Sequence, residues 1–285
     1  MKKRILAALL VFVALLTGCN RKETPGQWPS QKIEIDVCYT AGGTADTVAR
    51  QLSALMSQQL STTFNLVNVT GGSGSIAGQQ VYAAAHDGYT WLGDVAHTVS
   101  GWRTLGYADL GWEDFYGFYA ASSPYVLFVS GNSPYQTAQQ LFDAMRGDPS
   151  MKWGNAGLGS INQLTGSLML EKLGLKGNSV PYDGGRSAAI KVVAGEVTWS
   201  WCGLSDILDL AQSGDIRILG ICDSSPREID CAKGNYTVPS LLDDYPELSD
   251  LQGLLYWGFR VSRDTPADAV AKIRDAFQST VDSKE

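Results

Sequence analysis

The sequence predicts an α/β protein of two lobes with a ligand cleft between them. Strand-like and helix-like segments alternate along the first hundred residues. Two strand-like segments then follow one another around residues 115–135, and a second alternating series comes next. Such alternation is typical of parallel sheets covered by helices. The change of pattern in the middle indicates a crossing from one α/β unit to another, and a site between two such units permits hinge closure.

Composition limits the kinds of partner. The chain has 285 residues, which is enough for two compact domains. The formal net charge is -7 and the isoelectric point is near 4.9. An acidic chain with no basic run beyond its first residues argues against nucleic acid as a partner. A small anion remains a candidate ligand, because a local site can oppose the overall field.

The N-terminus predicts export and lipid attachment. Lys2, Lys3 and Arg4 precede the apolar run ILAALLVFVALL, and the small-residue segment LTGC ends at Cys19. This order resembles a bacterial lipobox, whereas a plain signal peptide or signal anchor is the alternative. We therefore expect a signal peptide over 1–19, lipid on Cys19, a polar tether over 20–28 and an extracytoplasmic, membrane-anchored protein.

The remaining cysteines suggest at most one disulfide. Cys222 and Cys231 flank a short polar segment, residues 223–230, and are the candidate pair, since an exported protein can form disulfides. Cys38 and Cys202 lie in strand-like segments and are expected to be buried thiols. With no C-x-x-C motif and two histidines, neither a metal site nor a cofactor is predicted.

The first lobe begins with three strands and two helices in alternation. The strands are KIEIDVCY, FNLVNV and YTWLGDV, and the helices are TADTVARQLSALMSQQL and SIAGQQVYAAA. The segments FYGFYAA and YVLFVS then read as two strands with a break at residues 122–124, and mark the crossing near residue 122. We expect lobe 1 to comprise 29–122 and 232–285, including a helix after Asp264 and Pro266, and lobe 2 to comprise 123–231.

Lobe 2 repeats the alternation. Its predicted helices are YQTAQQLFDAMRG, INQLTGSLMLEKLG, GRSAAIKVVAG and SDILDLAQSG. Its predicted strands are KWGNAG, NSVPY, VTWSWC and IRILGIC.

Glycine-rich turns between a strand and a helix recur in both lobes. Gly42 and Gly43 follow the first strand, Gly157 and Gly159 precede a helix at Ser160, and Gly184 with Gly185 precedes another. Glycines let backbone N–H groups approach a ligand, and a helix N-terminus favours an anion. Two such loops from opposite lobes are expected to hold one carboxylate between them.

Several motifs together resemble the extracytoplasmic receptors of tripartite tricarboxylate transporters, the Bug family. They are AGGTADTVAR, VNVTGGSG, AHDGYT, GNAGLGSINQL, VPYDGGRSA and SGDIRILGI. The resemblance implies a two-lobed periplasmic binding protein fold of type II kind that binds a small carboxylate. Cys38 departs from the family pattern, which usually has proline there.

The resemblance also implies ligand-binding positions. In the first lobe they are Tyr39, Ala41, Gly42, Gly43, Thr44 and Asp46, and in the second they are Gly159, Ser160, Tyr182, Gly184 and Gly185. Asp46 is expected to brace its loop, because its charge would repel an anion.

Two further residues have open interpretations. Arg186 opens a helix beside Gly185, and could pair with a distal carboxylate or point to solvent. His97 follows the YTWLGDV strand, and is either a ligand hydrogen-bond donor or a polar part of the cleft wall.

Enzyme functions fit poorly. The segment GGSGSIAG gives G-x-G-x-x-x-G instead of the dinucleotide spacing, and no G-x-S-x-G elbow is present. We therefore expect a non-enzymatic, monomeric receptor that captures a small carboxylate and delivers it to a membrane permease. A sensor that signals through a membrane partner is the alternative, and an exported hydrolase is a remoter one.

Overall fold

The structure, a computed structural model, describes residues 28–231 and 234–283. The predicted signal peptide, Cys19 and all of the tether except Trp28 lie outside the described residues. Within the described part, no helix is both long and apolar enough to cross a membrane.

The first lobe is a sheet covered by helices, as the alternation predicted. Its strands begin with β1 (Ile33–Val37), β2 (Phe64–Asn68) and β3 (Thr90–Val95), and its helices with α1 (Thr44–Leu60) and α2 (Ser75–Ala83). Strand β1 pairs in parallel with both β2 and β3. The alternate residues Ile33, Ile35 and Val37 are fully buried, which explains the period of two in the sequence.

One long strand links the two lobes. The two segments predicted as separate strands form a single strand, β4 (Phe115–Ser130), because residues 122–124 continue the pairing without interruption. The first part of β4 pairs with β11 (Leu254–Ser262), and its second part pairs with β7 (Trp199–Gly203) and β8 (Ile216–Ile221). With β5 (Lys152–Asn155) and β6 (Asn178–Pro181) of the second lobe, the sheet therefore runs β2-β1-β3-β11-β4-β7-β5-β6, and β8 also pairs with β4.

The second lobe repeats the parallel arrangement. Strand β5 (Lys152–Asn155) pairs in parallel with β6 (Asn178–Pro181) and with β7. The helices are α3 (Ala138–Gly147), α4 (Ile161–Lys172), α5 (Gly185–Val193) and α6 (Leu208–Ser213). Stacked aromatic rings fill the core, with centroids 5.0 Å apart for Trp153 and Trp199 and 5.4 Å apart for Tyr125 and Trp201.

The chain returns to the first lobe later than the predicted boundary at 232. Strands β9 (Arg227–Ile229) and β10 (Tyr236–Val238) form a hairpin, and helix α7 (Leu241–Asp244) follows. Tyr245 packs on Phe142 of α3, and Lys172 of α4 pairs with Asp250 at 2.8 Å. These contacts keep 234–251 on the second lobe, so the return lies at β11. Helix α8 (Ala267–Asp282) then packs against α1.

The predicted pairing of Cys222 with Cys231 is absent, since both are free thiols in the structure. Cys222 is buried directly after β8. The Sγ atom of Cys231 lies 3.5 Å from the Ala211 carbonyl oxygen, on the side of α6. The intervening loop is short, but the hairpin of β9 and β10 turns Cys231 toward another neighbour.

Candidate functional site

The loop between β1 and α1 delivers uncapped backbone N–H groups to the cleft. Gly43 precedes α1 in an extended conformation and offers no side-chain cap. Gly42 has φ +77°, a left-handed conformation that favours glycine. The first turn of α1 therefore presents backbone donors that its own helix does not use to a group that approaches from outside.

Asp46 holds this loop in place. Its carboxylate accepts hydrogen bonds from Gly42 N at 3.0 Å, Asn68 Nδ2 at 3.0 Å and Arg50 Nη2 at 2.8 Å. Burial alone would raise the pKa of Asp46. The hydrogen bonds from Arg50, Gly42 and Asn68 outweigh burial and lower the pKa below its usual value. Asp46 is thus fully engaged within the first lobe, in line with a bracing role.

The glycine loops of the two lobes touch. The backbone N–H of Thr40 donates to the Asp183 carbonyl at 3.2 Å, and Thr40 Oγ1 donates to the same oxygen at 2.8 Å. Thr40 Oγ1 also lies 2.6 Å from Ser187 Oγ. These contacts join the loop between β1 and α1 to the start of α5, so the structure shows the lobes closed on one another.

A carboxylate from the second lobe occupies the α1 N-terminus. Asp206, in the turn after β7, accepts from Thr44 N at 3.0 Å and from Thr44 Oγ1 at 2.8 Å. A Cβ atom at Gly185 would lie 2.5 Å from the other carboxylate oxygen, so only glycine allows this approach at the α5 N-terminus. The N-termini of α1 and α5, each preceded by a glycine, thus lie around one carboxylate. That carboxylate is the side chain of Asp206 itself.

The Asp206 carboxylate has no full ion-pair partner among the described residues. Burial raises its pKa, opposed by the hydrogen bonds from Thr44 and by the charge of Arg186. The Arg186 guanidinium pairs instead with Asp209, at 2.7 Å between Nη2 and Oδ2. It reaches Asp206 only at the backbone carbonyl, at 3.3 Å. The structure thus shows neither of the two interpretations of Arg186, because the guanidinium is mostly buried and pairs with a carboxylate of its own chain.

Two cavities adjoin this closed junction. The inner cavity is only about 10 Å³ and is lined by Thr44, Gly185, Arg186 and Asp206, among others. The outer one is about 480 Å³, and Tyr39 and Ala156 line both. Because a cavity of about 10 Å³ holds at most one water molecule, a ligand can enter the inner site only when the lobes separate.

A buried, unpaired donor lines the inner cavity. Trp257 is 4% exposed, and its Nε1 has no hydrogen-bond partner in the described part of the chain. Asn162, 5% exposed, also lines the cavity and brings a side-chain amide to it. A buried donor without a partner is rare in folded proteins, so Trp257 Nε1 marks this cavity as a place for a hydrogen-bond acceptor.

The other predicted positions separate into three groups. Tyr39, Gly43, Thr44, Gly184 and Gly185 line the inner cavity, and Tyr182 lines the outer one. Ala41 and Gly42 are exposed and line neither cavity. The third group comprises Gly159 and Ser160, which serve the start of α4: Gly159 N donates to Gln163 Oε1, and Ser160 Oγ accepts from Gln163 N.

His97 stands apart from both cavities. Its Nδ1 is buried without a partner in the described part of the chain, and the residue is absent from both cavity linings. Burial, reinforced by the charge of Arg260, lowers the pKa of His97. The imidazole is therefore neutral at pH 7.

Replacing Ser160 with alanine tests its capping role. The variant should lose about 0.5–2 kcal/mol of stability, because the hydroxyl caps α4. Ser160→Thr keeps a capping oxygen and should lose less. Thermal unfolding of both variants gives the comparison. An equal loss in the two variants would contradict the capping role.

Sequence reasoning did not find Asp206, Asn162 or Trp257. The sequence offered a signal for Asp206 alone. In WSWCGLSD this residue comes shortly after the end of a predicted strand, as the glycine loops do after theirs. Trp257 and Asn162 lie within a strand and a helix that looked like ordinary core elements. Their position at the cavity follows from the closure of the lobes.

Comparison with known proteins identifies the family. The model of the tripartite tricarboxylate transporter family receptor matches residues 48–284. A UPF0065 protein from the tcbD-tcbE intergenic region of a Pseudomonas species is 29% identical, with 98% of this chain and 82% of that protein covered.

Two solved structures show the same fold. MatC from Rhodopseudomonas palustris with bound malate has a TM-score of 0.77 at 23% identity, covering 90% of this chain and 86% of that one. Rpa4515 of the same organism with adipate has a TM-score of 0.78 at 24% identity, covering 90% and 85%. The family consists of solute receptors, not enzymes. The expected two-lobed fold and the resemblance to the Bug family are confirmed, and the chain belongs to the tripartite tricarboxylate transporter receptor family.

Proposed function

We propose that this receptor captures a small carboxylate solute between its lobes and delivers it to a membrane permease of the tripartite tricarboxylate type. The observation that carries the proposal is the junction of α1 and α5. Two helix starts from opposite lobes, each led by glycine, surround one carboxylate group. Backbone N–H groups and helix dipoles at such positions favour an anion.

The relatives support the same ligand class. MatC and Rpa4515 share the fold and were solved with malate and adipate. Closure then follows from differential affinity, because a solute that contacts both lobes stabilises the closed form over the open one.

Export, anchoring and oligomeric state complete the proposal. The N-terminal sequence supports cleavage before Cys19, lipid on that residue and a position outside the cytoplasm. A monomer suffices, since the described residues of one chain supply both halves of the cleft.

A thermal-shift panel of mono-, di- and tricarboxylates and amino-carboxylates tests this function. A solute at a hundred times its dissociation constant stabilises the protein by roughly 2.7 kcal/mol, a shift of several degrees for a chain of this size. We expect a selective shift with one class of carboxylate. Neutral sugars of similar size serve as the control, and a response to them instead would contradict the proposal.

A further inference from the structure

Asp206 occupies the place that a ligand carboxylate would be expected to take. Its Oδ1 accepts both the backbone N–H and the hydroxyl of Thr44. Its Oδ2 lies against the glycine that begins α5. The residue is 4% exposed, so the closed lobes enclose it almost completely.

The charges around Asp206 leave it available for a cation. Arg186 is the cationic residue in the inner cavity lining, and its guanidinium is bound by Asp209. Arg50 is bound by Asp46 on the first lobe. A ligand group placed beside Asp206 therefore meets a negative charge that no described side chain neutralises with a salt bridge.

The rest of the cavity lining offers donors. Trp257 Nε1 is buried without a partner among the described residues, and Asn162 adds a side-chain amide to the same lining. Both residues line the inner cavity together with Asp206. The cavity thus combines one carboxylate with two hydrogen-bond donors, of which Trp257 Nε1 is buried and unpaired among the described residues, a pattern complementary to a molecule that has both an ammonium and a carboxylate.

We propose that Asp206 determines the ligand class of this cleft. It pairs with the ammonium group of an amino-carboxylate, whose carboxylate binds toward Trp257 and Asn162, and it disfavours di- and tricarboxylates by like-charge repulsion. This inference rests on the proposed function and narrows it. In the ligand-free receptor, Asp206 fills the anion position itself, and the ligand must separate Asp206 from Thr44 to enter.

The first experiment compares matched probes by calorimetry on the full chain. The two members of each pair have the same number of carbon atoms. The pairs are β-alanine with malonate, 4-aminobutanoate with succinate, and 5-aminopentanoate with glutarate. We expect the wild type to prefer the amino member of the best-bound pair by about tenfold or more, the usual scale for a charged hydrogen bond.

The variants assign that preference to Asp206. Asp206→Asn keeps an oxygen for Thr44 but removes the charge, and should reduce or invert the preference by about tenfold. Asp143→Asn is the matched control, because the Asp143 side chain is 59% exposed, pairs with Arg146 on α3 and lies outside both cavity linings. It should leave the preference within about twofold.

A second experiment needs no physiological ligand. Small-angle X-ray scattering should show the ligand-free wild type compact and Asp206→Ala expanded, because the alanine variant loses the link to Thr44. Acetate should make Asp206→Ala compact again by filling the vacated position, whereas chloride at equal ionic strength should not.

The outcomes separate this inference from the proposed function. A wild type that prefers dicarboxylates, a preference unchanged in Asp206→Asn, or no binding of any probe to either protein would overturn it. So would an Asp206→Ala variant as compact as the wild type. If the broader carboxylate panel still gives a ligand in those cases, the receptor function stands and only the role of Asp206 falls.

Discussion

Replacement of Arg260 by methionine is expected to lower the free energy of unfolding at pH 7 by about 3–5 kcal/mol. Arg260 is 1% exposed, and its Nε lies 2.6 Å from Oδ2 of Asp94, which is completely buried. Removing the guanidinium leaves a buried carboxylate without its counter-charge. The same change also removes a hydrogen bond to the Ala96 carbonyl and a stack over the Trp112 ring at 4.5 Å.

The loss should depend on pH. Burial raises the pKa of Asp94 to about 6 even with Arg260 present. Without Arg260 the pKa should rise further, so that the folded variant takes up a proton. A carboxylate with a raised pKa in the folded state contributes stability at low pH that is lost as the pH increases through that pKa. The difference between variant and wild type should therefore be larger at pH 8 than at pH 5.

Thermal unfolding between pH 5 and 8 measures this effect, with an expected decrease at pH 7 of roughly 6–20 °C. Arg263→Met is the matched control. Arg263 stacks over Tyr116 at 4.2 Å but is exposed, so its loss should cost little. Equal decreases for the two variants, or an Arg260→Met loss greater at pH 5 than at pH 8, would contradict the buried-pair argument.

Replacement of Gly43 by valine is expected to weaken solute binding by roughly 5–150-fold. A Cβ at this position would lie 3.2 Å from the Thr40 carbonyl oxygen and 3.5 Å from Arg186 Cβ. The additional methyl groups would need space between α1 and the second lobe. The contact with Thr40 lies within the first lobe and is present in both forms, whereas the contact with Arg186 and the space that the methyl groups need belong to the closed form. Much of the cost therefore falls on the closed form, and the fold of each lobe should survive.

Titration of the solute identified by the carboxylate panel measures the change, and scattering reports whether the lobes still close. Gly42→Asn is the matched control in the same loop. Gly42 has φ +77° with no atom within 4 Å of an added Cβ, and asparagine tolerates this conformation. Its affinity should stay close to that of the wild type. A Gly43→Val variant with unchanged affinity would show that α1 does not approach the second lobe in the bound state.

Local signals in the sequence predicted much of the fold. The alternation of Ile33, Ile35 and Val37 indicated a half-buried strand, and glycines after strand ends indicated where helices would present their N-termini. The lobe boundary was harder to predict. Residues 234–251 remain on the second lobe because Leu241 packs over Gly220, a contact that forms only when the chain after β10 folds back onto β8.

Sequence by itself determined the family, the two α/β units and the glycine loops that face the cleft, because each depends on residues close together in the chain. Tertiary structure alone decided what those loops hold. Thr44 and Asp206 are 162 positions apart, and the Arg186 guanidinium pairs with the Asp209 carboxylate instead of with that of Asp206. Such pairings depend on how the two lobes pack against each other. Neither the hydrophobic periodicity nor the residue spacing of a short segment contains that information.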